Sequence, residues 1–307
     1  MTHGLLLPGV SDVSLPTLAV RAEELGYESV WMGELWGGSS PIQLAEIAGR
    51  TETITLGTAI LNVYSRTPAT LAMTASSLDR VSDGRFILGL GTSTQKAIED
   101  LHSMNFERPV RRAHETIELT KRFLGTDKSE GGRVAYDGEL FHAADFPALD
   151  ADVPVYHAAL GQANRRVVAR LCDGWLPHNI PFPNLDEAFS YVADHAEQAG
   201  RDPADITVAP YVPAAVADDP EVARDAIRGH IAYYTGSGEG YRQAVASRFP
   251  DAAEQIAEAW HSGERKAAAG SVSDEMVSAL GVSGTPDEAR TQLHELTENS
   301  VIDHPIV

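Results

Sequence analysis

The chain has 307 residues, 44 Asp plus Glu against 24 Lys plus Arg, a formal net charge of -20 and one cysteine, Cys172. One thiol excludes an internal disulfide, a CxxC metal site and an iron–sulfur cluster, and so acidic a surface repels nucleic acid and anionic lipid. No apolar run nears the ~18 residues of a membrane span, and Met1–Gly9 is too short and uncharged for a signal peptide, so a cytoplasmic protein with a small-molecule ligand is expected.

Leu5-Leu6-Leu7 reads as a strand stopped by Pro8-Gly9, and Leu15, Leu18, Ala22 and Leu25 hold helical spacing up to Gly26. A second strand is expected over 28–33, a helix over 41–49, a third strand over 54–61, a helix over 68–81 and a fourth strand over 86–90. Regular βα order calls for a parallel sheet, and spacing alone leaves open whether it closes into an eight-stranded barrel or stays an open doubly wound sheet. After a helix over 111–124, Asp137-Gly138 between two apolar runs predicts a hairpin inside an insertion at about 125–150. The alternation resumes with a strand over 153–159, a helix over 164–172, a strand at 175–176, a helix over 185–199 and a strand over 206–212. Residues 213–280 read as a helical insertion, largely Ala-rich and acidic, and Thr285-Pro286-Asp287-Glu288 as a capped helix start leading to Glu298. Val301-Ile302 is the expected last strand.

In parallel α/β folds ligands gather at the C-terminal ends of the strands. There the residues Gly57-Thr58-Ala59-Ile60-Leu61-Asn62-Val63-Tyr64-Ser65-Arg66-Thr67-Pro68 and Leu78-Asp79-Arg80-Val81-Ser82-Asp83-Gly84-Arg85-Phe86 resemble the bacterial-luciferase-like superfamily. Ala22–Trp31 and Gly161–Gly174, ending Arg170-Leu171-Cys172-Asp173-Gly174, are similar to it too. The stretch Asn62-Val63-Tyr64-Ser65-Arg66 resembles the coenzyme-F420-dependent branch, which includes methylene-tetrahydromethanopterin reductases and F420-dependent alcohol and sugar-phosphate dehydrogenases.

The resemblance implies one (β/α)8 TIM barrel over 1–307 with the two insertions, binding the deazaflavin F420 or, as the alternative, FMN. It implies a non-prolyl cis peptide at Ala59–Ile60 against the deazaflavin face, and a homodimer. Asn62 then meets the polar edge of the ring or caps a tight strand end. Gly161-Gln162-Ala163-Asn164, after Leu160, precedes a helix and suits a phosphate, or is a plain turn. Gly91-Thr92-Ser93 lets backbone approach the cofactor tail, or is a Gly-rich turn, and neither run has dinucleotide GxGxxG spacing.

Relatives place an Asp followed by His where this chain has Glu34 and Leu35, so the acid or base role falls to Glu34, raised toward neutrality beside Trp36, or Glu34 is a structural acceptor. Trp36, Tyr64 and Trp175 are pocket or packing residues, and Arg66 and Arg85 are anion-attracting or solvated. His157 and His178 are candidates for proton transfer, no residues have metal-ligand spacing, and Cys172 reads as packing. Three functions follow: an F420-dependent oxidoreductase moving a hydride to or from a small organic substrate, an FMN-dependent monooxygenase, or a non-catalytic flavin-binding barrel. Lysine occurs only at Lys96, Lys121, Lys128 and Lys266, and this arginine-biased acidity suggests a salt-loving host.

Overall fold

A computed structural model describes residues 3–9, 11–125, 132–298 and 300–307. The first elements are strand β1 (Gly4–Leu6), helix α1 (Leu15–Glu24), β2 (Ser29–Met32), α2 (Ser40–Ala48), β3 (Thr55–Thr58), β4 (Leu61–Asn62), α3 (Pro68–Ser82) and β5 (Phe86–Gly91). Ser14 and Thr67 accept backbone N–H bonds from the first turns of α1 and α3, and proline in those turns gives up a donor that has no helical partner. A π-helical turn (Ala97–Leu101) precedes α4 (Pro109–Leu124) and the antiparallel hairpin of β6 (Arg133–Asp137) and β7 (His142–Pro147). The alternation then continues through β8 (Val155–Ala158), α5 (Gln162–Leu171), β9 (Gly174–Trp175), α6 (Leu185–Gln198) and β10 (Thr207–Val208).

The main sheet runs β1-β2-β3-β5-β8-β9-β10, with β4 also paired to β5, and every pair is parallel. The expected third strand is thus two, because the Ala59–Ile60 peptide is cis and interrupts the ladder. The last strand also differs from expectation. Asp303 Oδ2 accepts from the Val208 amide at 2.8 Å and the Asp303 and His304 amides turn back onto the Val208 carbonyl, so pairing begins only after them. Ile306 forms parallel bridges to both Gly4 and Tyr211 and so joins the two outer edges of the sheet.

Alternate strand residues part into two cores. Val30, Met32 and Val155 face the helices, whereas Trp31 and Tyr156 meet on the other face with ring centroids 5.9 Å apart, beside Leu176, Ala209 and Ile306. Among the described residues no helix contributes to this second cluster. Gly57 is needed there, since a Cβ on it would collide with the Trp31 ring.

A short parallel pair, β11 (Ala214–Val216) and β12 (Val282–Gly284), brackets α7 (Pro220–Ser237), α8 (Glu239–Ala246), α9 (Pro250–His261), α10 (Arg265–Gly270) and α11 (Asp274–Leu280). These helices bury their own cluster, with Ile231, Val245, Ile256 and Met276 fully covered. Helix α12 (Pro286–Thr297) opens on a complete capping box between Thr285 and Glu288. Among the described residues no helix is long and apolar enough to cross a membrane.

Candidate active site at the C-terminal ends of the strands

The cis Ala59–Ile60 peptide carries the chain from β3 toward the end of β5. Asn62 is in register with Gly91, and Gly91 with Ala158. A Cβ on Gly91 would stand 3.0 Å from the Ile60 side chain and 3.4 Å from the Ala158 Cβ, so any side chain there would press Ile60 out of its place across the strand. Ala59, Ile60 and Ala158 share the strand-only core with Tyr211 and remain partly exposed, which makes an apolar floor at this end of the sheet.

Asn62 is 2% exposed. Its Oδ1 accepts from the Tyr64 and Ser65 amides at 3.0 and 2.8 Å, and its amide nitrogen lies 3.3 Å from His102 Nε2. Of its two readings the observed one is the strand-end cap. His102 follows the π-helical turn and carried no signal in the sequence, because nothing in its neighbourhood there is periodic or charged in a recognisable pattern. Thr92 and Ser93 are partly exposed, with Ser93 in the left-handed region at φ 58.

Helix α5 begins earlier than expected. Gly161 is its extended N-cap at φ -76 and ψ 151, so Gln162, Ala163 and Asn164 form its first turn, with no side chain capping their N–H groups. Nothing lies within 4 Å of where a Gly161 Cβ would be, leaving the backbone open to approach. The Asn164 side chain lies beside His157, and the Leu160 carbonyl accepts from Arg165 Nε at 2.9 Å.

Of the two readings of Glu34, the acceptor one is seen in its hydrogen bonds. Its two oxygens accept from Arg66 at 2.5 and 3.0 Å, and Oε2 also takes the Ser40 amide at the start of α2 at 3.0 Å. Trp36 cannot desolvate it, being 81% exposed. The Glu34 amide in turn donates to the Ile60 carbonyl at 3.3 Å, so the ion pair ties the ends of β2 and β3 together around the cis peptide.

At the ends of β9 and β10 the structure gathers rings from distant parts of the chain. His178 is ringed by Tyr211, His230, Tyr234 and Tyr241, with centroids 4.3 to 5.6 Å away. His230 and Tyr234 stand on α7 and Tyr241 on α8. The junction of those helices reaches the other strand ends: a Cβ on Gly238 would lie 3.6 Å from Thr94, and one on Gly240 3.6 Å from Leu160. Burial pushes His178 down to about 3 and His230 down to about 4, and it raises Tyr241 to about 12. His230 and Tyr234 were legible only as an i, i+4 pair on one helix face, a pattern too common to stand out.

A model of the luciferase-like monooxygenase family matches residues 13–304. The chain belongs to that family. It is 30% identical to the 5,10-methylenetetrahydromethanopterin reductase of Methanolobus tindarius, over 98% of this chain and 92% of that protein. The structure is similar to that of a coenzyme F420 dependent tetrahydromethanopterin reductase from Methanopyrus kandleri, with a TM-score of 0.82 at 25% identity, covering 100% of this chain and 92% of the other. It also shares the fold of an F420-dependent secondary alcohol dehydrogenase seen with an F420-acetone adduct, at a TM-score of 0.76 and 18% identity over 99% and 92% of the two chains.

Within this luciferase-like fold the remaining sequence candidates are structural. Tyr64 and Trp175 are buried in the helix-facing core, Trp175 donating to the Ala159 carbonyl at 2.7 Å. Arg85 sits before β5, at the opposite end of the sheet, where it donates to the Ala48, Thr51, Ile54 and Ser82 carbonyls. That location removes it from any cofactor site. His157 faces away from the strand-only core, its Nδ1 3.1 Å from the Leu90 carbonyl, and burial holds it neutral at about 4. Cys172 is fully buried and pushed up to about 12, which makes it inert. Among the described residues no group of His, Cys, Asp and Glu could hold a metal ion.

Proposed function

We propose that this luciferase-like chain is an F420-dependent oxidoreductase acting on a small organic substrate. The observation that carries the reading is the pairing of an apolar floor of Ala59, Ile60, Gly91 and Ala158 with the open, uncapped start of α5. A flat tricyclic ring fits against such a floor, and a phosphate-bearing tail fits free N–H groups and the positive end of a helix dipole. The F420 named for the archaeal relatives has both parts, which supports the assignment.

Bound there, the deazaflavin supplies hydride chemistry at its C5 carbon. The chain's share is placement. Ile60 and Gly91 form the floor beneath the ring, Gly161 to Asn164 offer backbone N–H groups to the tail, and Thr92 and Ser93 offer hydroxyls along its path. Glu34, held by Arg66, is a positioning residue that fixes the Ile60 carbonyl. We take the bridges of Ile306 as the eighth strand of a closed barrel, with 1–307 one domain carrying the hairpin and helical insertions. The exposed Trp36, Ile42 and Met73 side chains, on α2, its leading loop and the neighbouring α3, suit the contact of a homodimer.

Titration of the purified protein with F420 and with FMN tests the reading, following the fluorescence of each. Saturable F420 binding without FMN binding is expected. FMN binding without a response to F420 points to the monooxygenase reading, and failure to bind either points to a non-catalytic barrel.

A further inference from the structure

The ring cluster at the ends of β9 and β10 forms a unit separate from the Ala59–Ile60 floor and the start of α5. The His178 and His230 Nε2 atoms are 3.4 Å apart, so one ring donates its N–H and the other accepts. Neither Nδ1 has a hydrogen-bond partner among the described residues. The groups facing the pair are the tyrosines Tyr211, Tyr234 and Tyr241, and apart from the effect of His230 on His178 no charged side chain among the described residues influences either imidazole.

The five rings are all partly exposed. They are largely desolvated and yet keep some accessible surface. One residue beyond His178, the side chain of Asn179 is 4% exposed, on a left-handed backbone at φ 57, and neither its oxygen nor its nitrogen has a partner. Beside Tyr234, the hydroxyl of Thr235 is likewise buried and unpartnered. Buried polar groups are normally hydrogen-bonded, so these side chains have donors and acceptors left for a polar occupant.

We propose that His178 and His230 are the proton-handling pair of the site, passing a proton between the oxygen of an uncharged alcohol or carbonyl substrate and solvent. The proposal rests on the oxidoreductase reading above. For an alcohol, a bound deazaflavin would take the hydride as C–O becomes C=O, and the free Nδ1 of the nearer ring would take the hydroxyl proton. The proton shared between the two Nε2 atoms shifts across, and the far ring releases its Nδ1 proton to solvent. Reduction reverses each step. A neutral pair has one accepting end and one donating end, so it works in both directions, and its low proton affinity lets it shed the proton it receives.

The pair also narrows the substrate. A carbon that already carries positive charge, as in an iminium, accepts hydride with no proton to move and has no use for the relay. A carboxylate substrate finds no cation in this cluster. His178, just beyond the end of β9 and the more strongly desolvated of the two, is the substrate end, and His230 on the insert is the solvent end.

Nitrogen NMR of the full-length protein without cofactor gives the first readout, with resonances assigned through His178→Gln and His230→Gln. Both rings are expected to stay neutral down to about pH 5 as buried imidazoles do, His178 to titrate higher in His230→Gln, and acetone to shift the His178 nitrogens where equimolar acetate does not. Turnover of 2-propanol with F420 gives the second: His178→Gln is expected to lower kcat about 100-fold, as loss of a general acid–base group does, with F420 affinity unchanged. Independent titration of the two rings near pH 6.5, no response to acetone, or a variant kcat within threefold of wild type with the same pH profile each overturns the proposal. A wild-type protein that binds no F420 overturns the oxidoreductase reading instead, and the NMR readout still decides for or against the pair.

Discussion

His157 and His178 stand at the ends of neighbouring strands, β8 and β9, and burial lowers the proton affinity of both, to about 4 and about 3. Their surroundings part there. His157 turns outward between sheet and α5, against the Leu90 carbonyl and the Asn164 side chain, and is fully covered. His178 turns to the mouth, keeps accessible surface and faces a second imidazole across 3.4 Å. Depth alone therefore does not mark a functional histidine. What distinguishes the mouth is that its histidine has a partner able to take over a proton and a free ring nitrogen to receive one.

Exchanging the two sites breaks the comparison most sharply. His178→Asn is expected to lower turnover about 100-fold with little change in the melting temperature, whereas His157→Asn leaves turnover per folded molecule within about twofold. Stability is expected to show the opposite ranking. Losing the Leu90 contact should cost His157→Asn about 1–3 kcal/mol in urea unfolding, and loss of the partly exposed His178 less.

The pH dependence sharpens the same contrast. Both histidines titrate near 6.5 when unfolded and lower when folded, so below that pH the unfolded chain binds more protons. Their contribution to stability is complete above pH 6.5 and is lost as pH falls toward 4. Urea midpoints between pH 7 and 4 should show this loss, and His157→Asn should make it shallower. The smallest effect is expected for Glu34→Gln, which weakens the clamp on Ile60: KM for F420 rises a few-fold while kcat holds, since uniform binding is lost and proton handling is not. A fall in kcat with unchanged KM would return Glu34 to an acid or base role.

The early βα units were legible because each strand is an apolar run and each helix carries proline or a hydroxyl cap at its start, all local signals. The Ala59–Ile60 bond and the glycine at 91 were reached through resemblance, since no local propensity marks a non-prolyl cis peptide. The last strand was misplaced at Val301-Ile302 because Ile302 is as apolar and buried as a strand residue, while the decisive bonds come from Asp303 to Val208, far away in sequence. The mouth was the least legible part. Its rings come from the segments after β9 and β10, from α7 and from α8, and only tertiary packing of the acidic insert onto the strand ends brings them together. The same holds for Glu34, whose acidic character was plain but whose commitment to Arg66 was not.

The most direct test of the account is an F420 binding titration on the wild type and on Gly91→Leu. A side chain at position 91 must occupy the place of Ile60, whose atoms already lie 3.0 Å from where its Cβ would be, and so it spoils the apolar floor. The account predicts saturable binding by the wild type and at least tenfold weaker binding by a variant that still folds, roughly 1.4 kcal/mol or more. Equal affinity in the two proteins would contradict it.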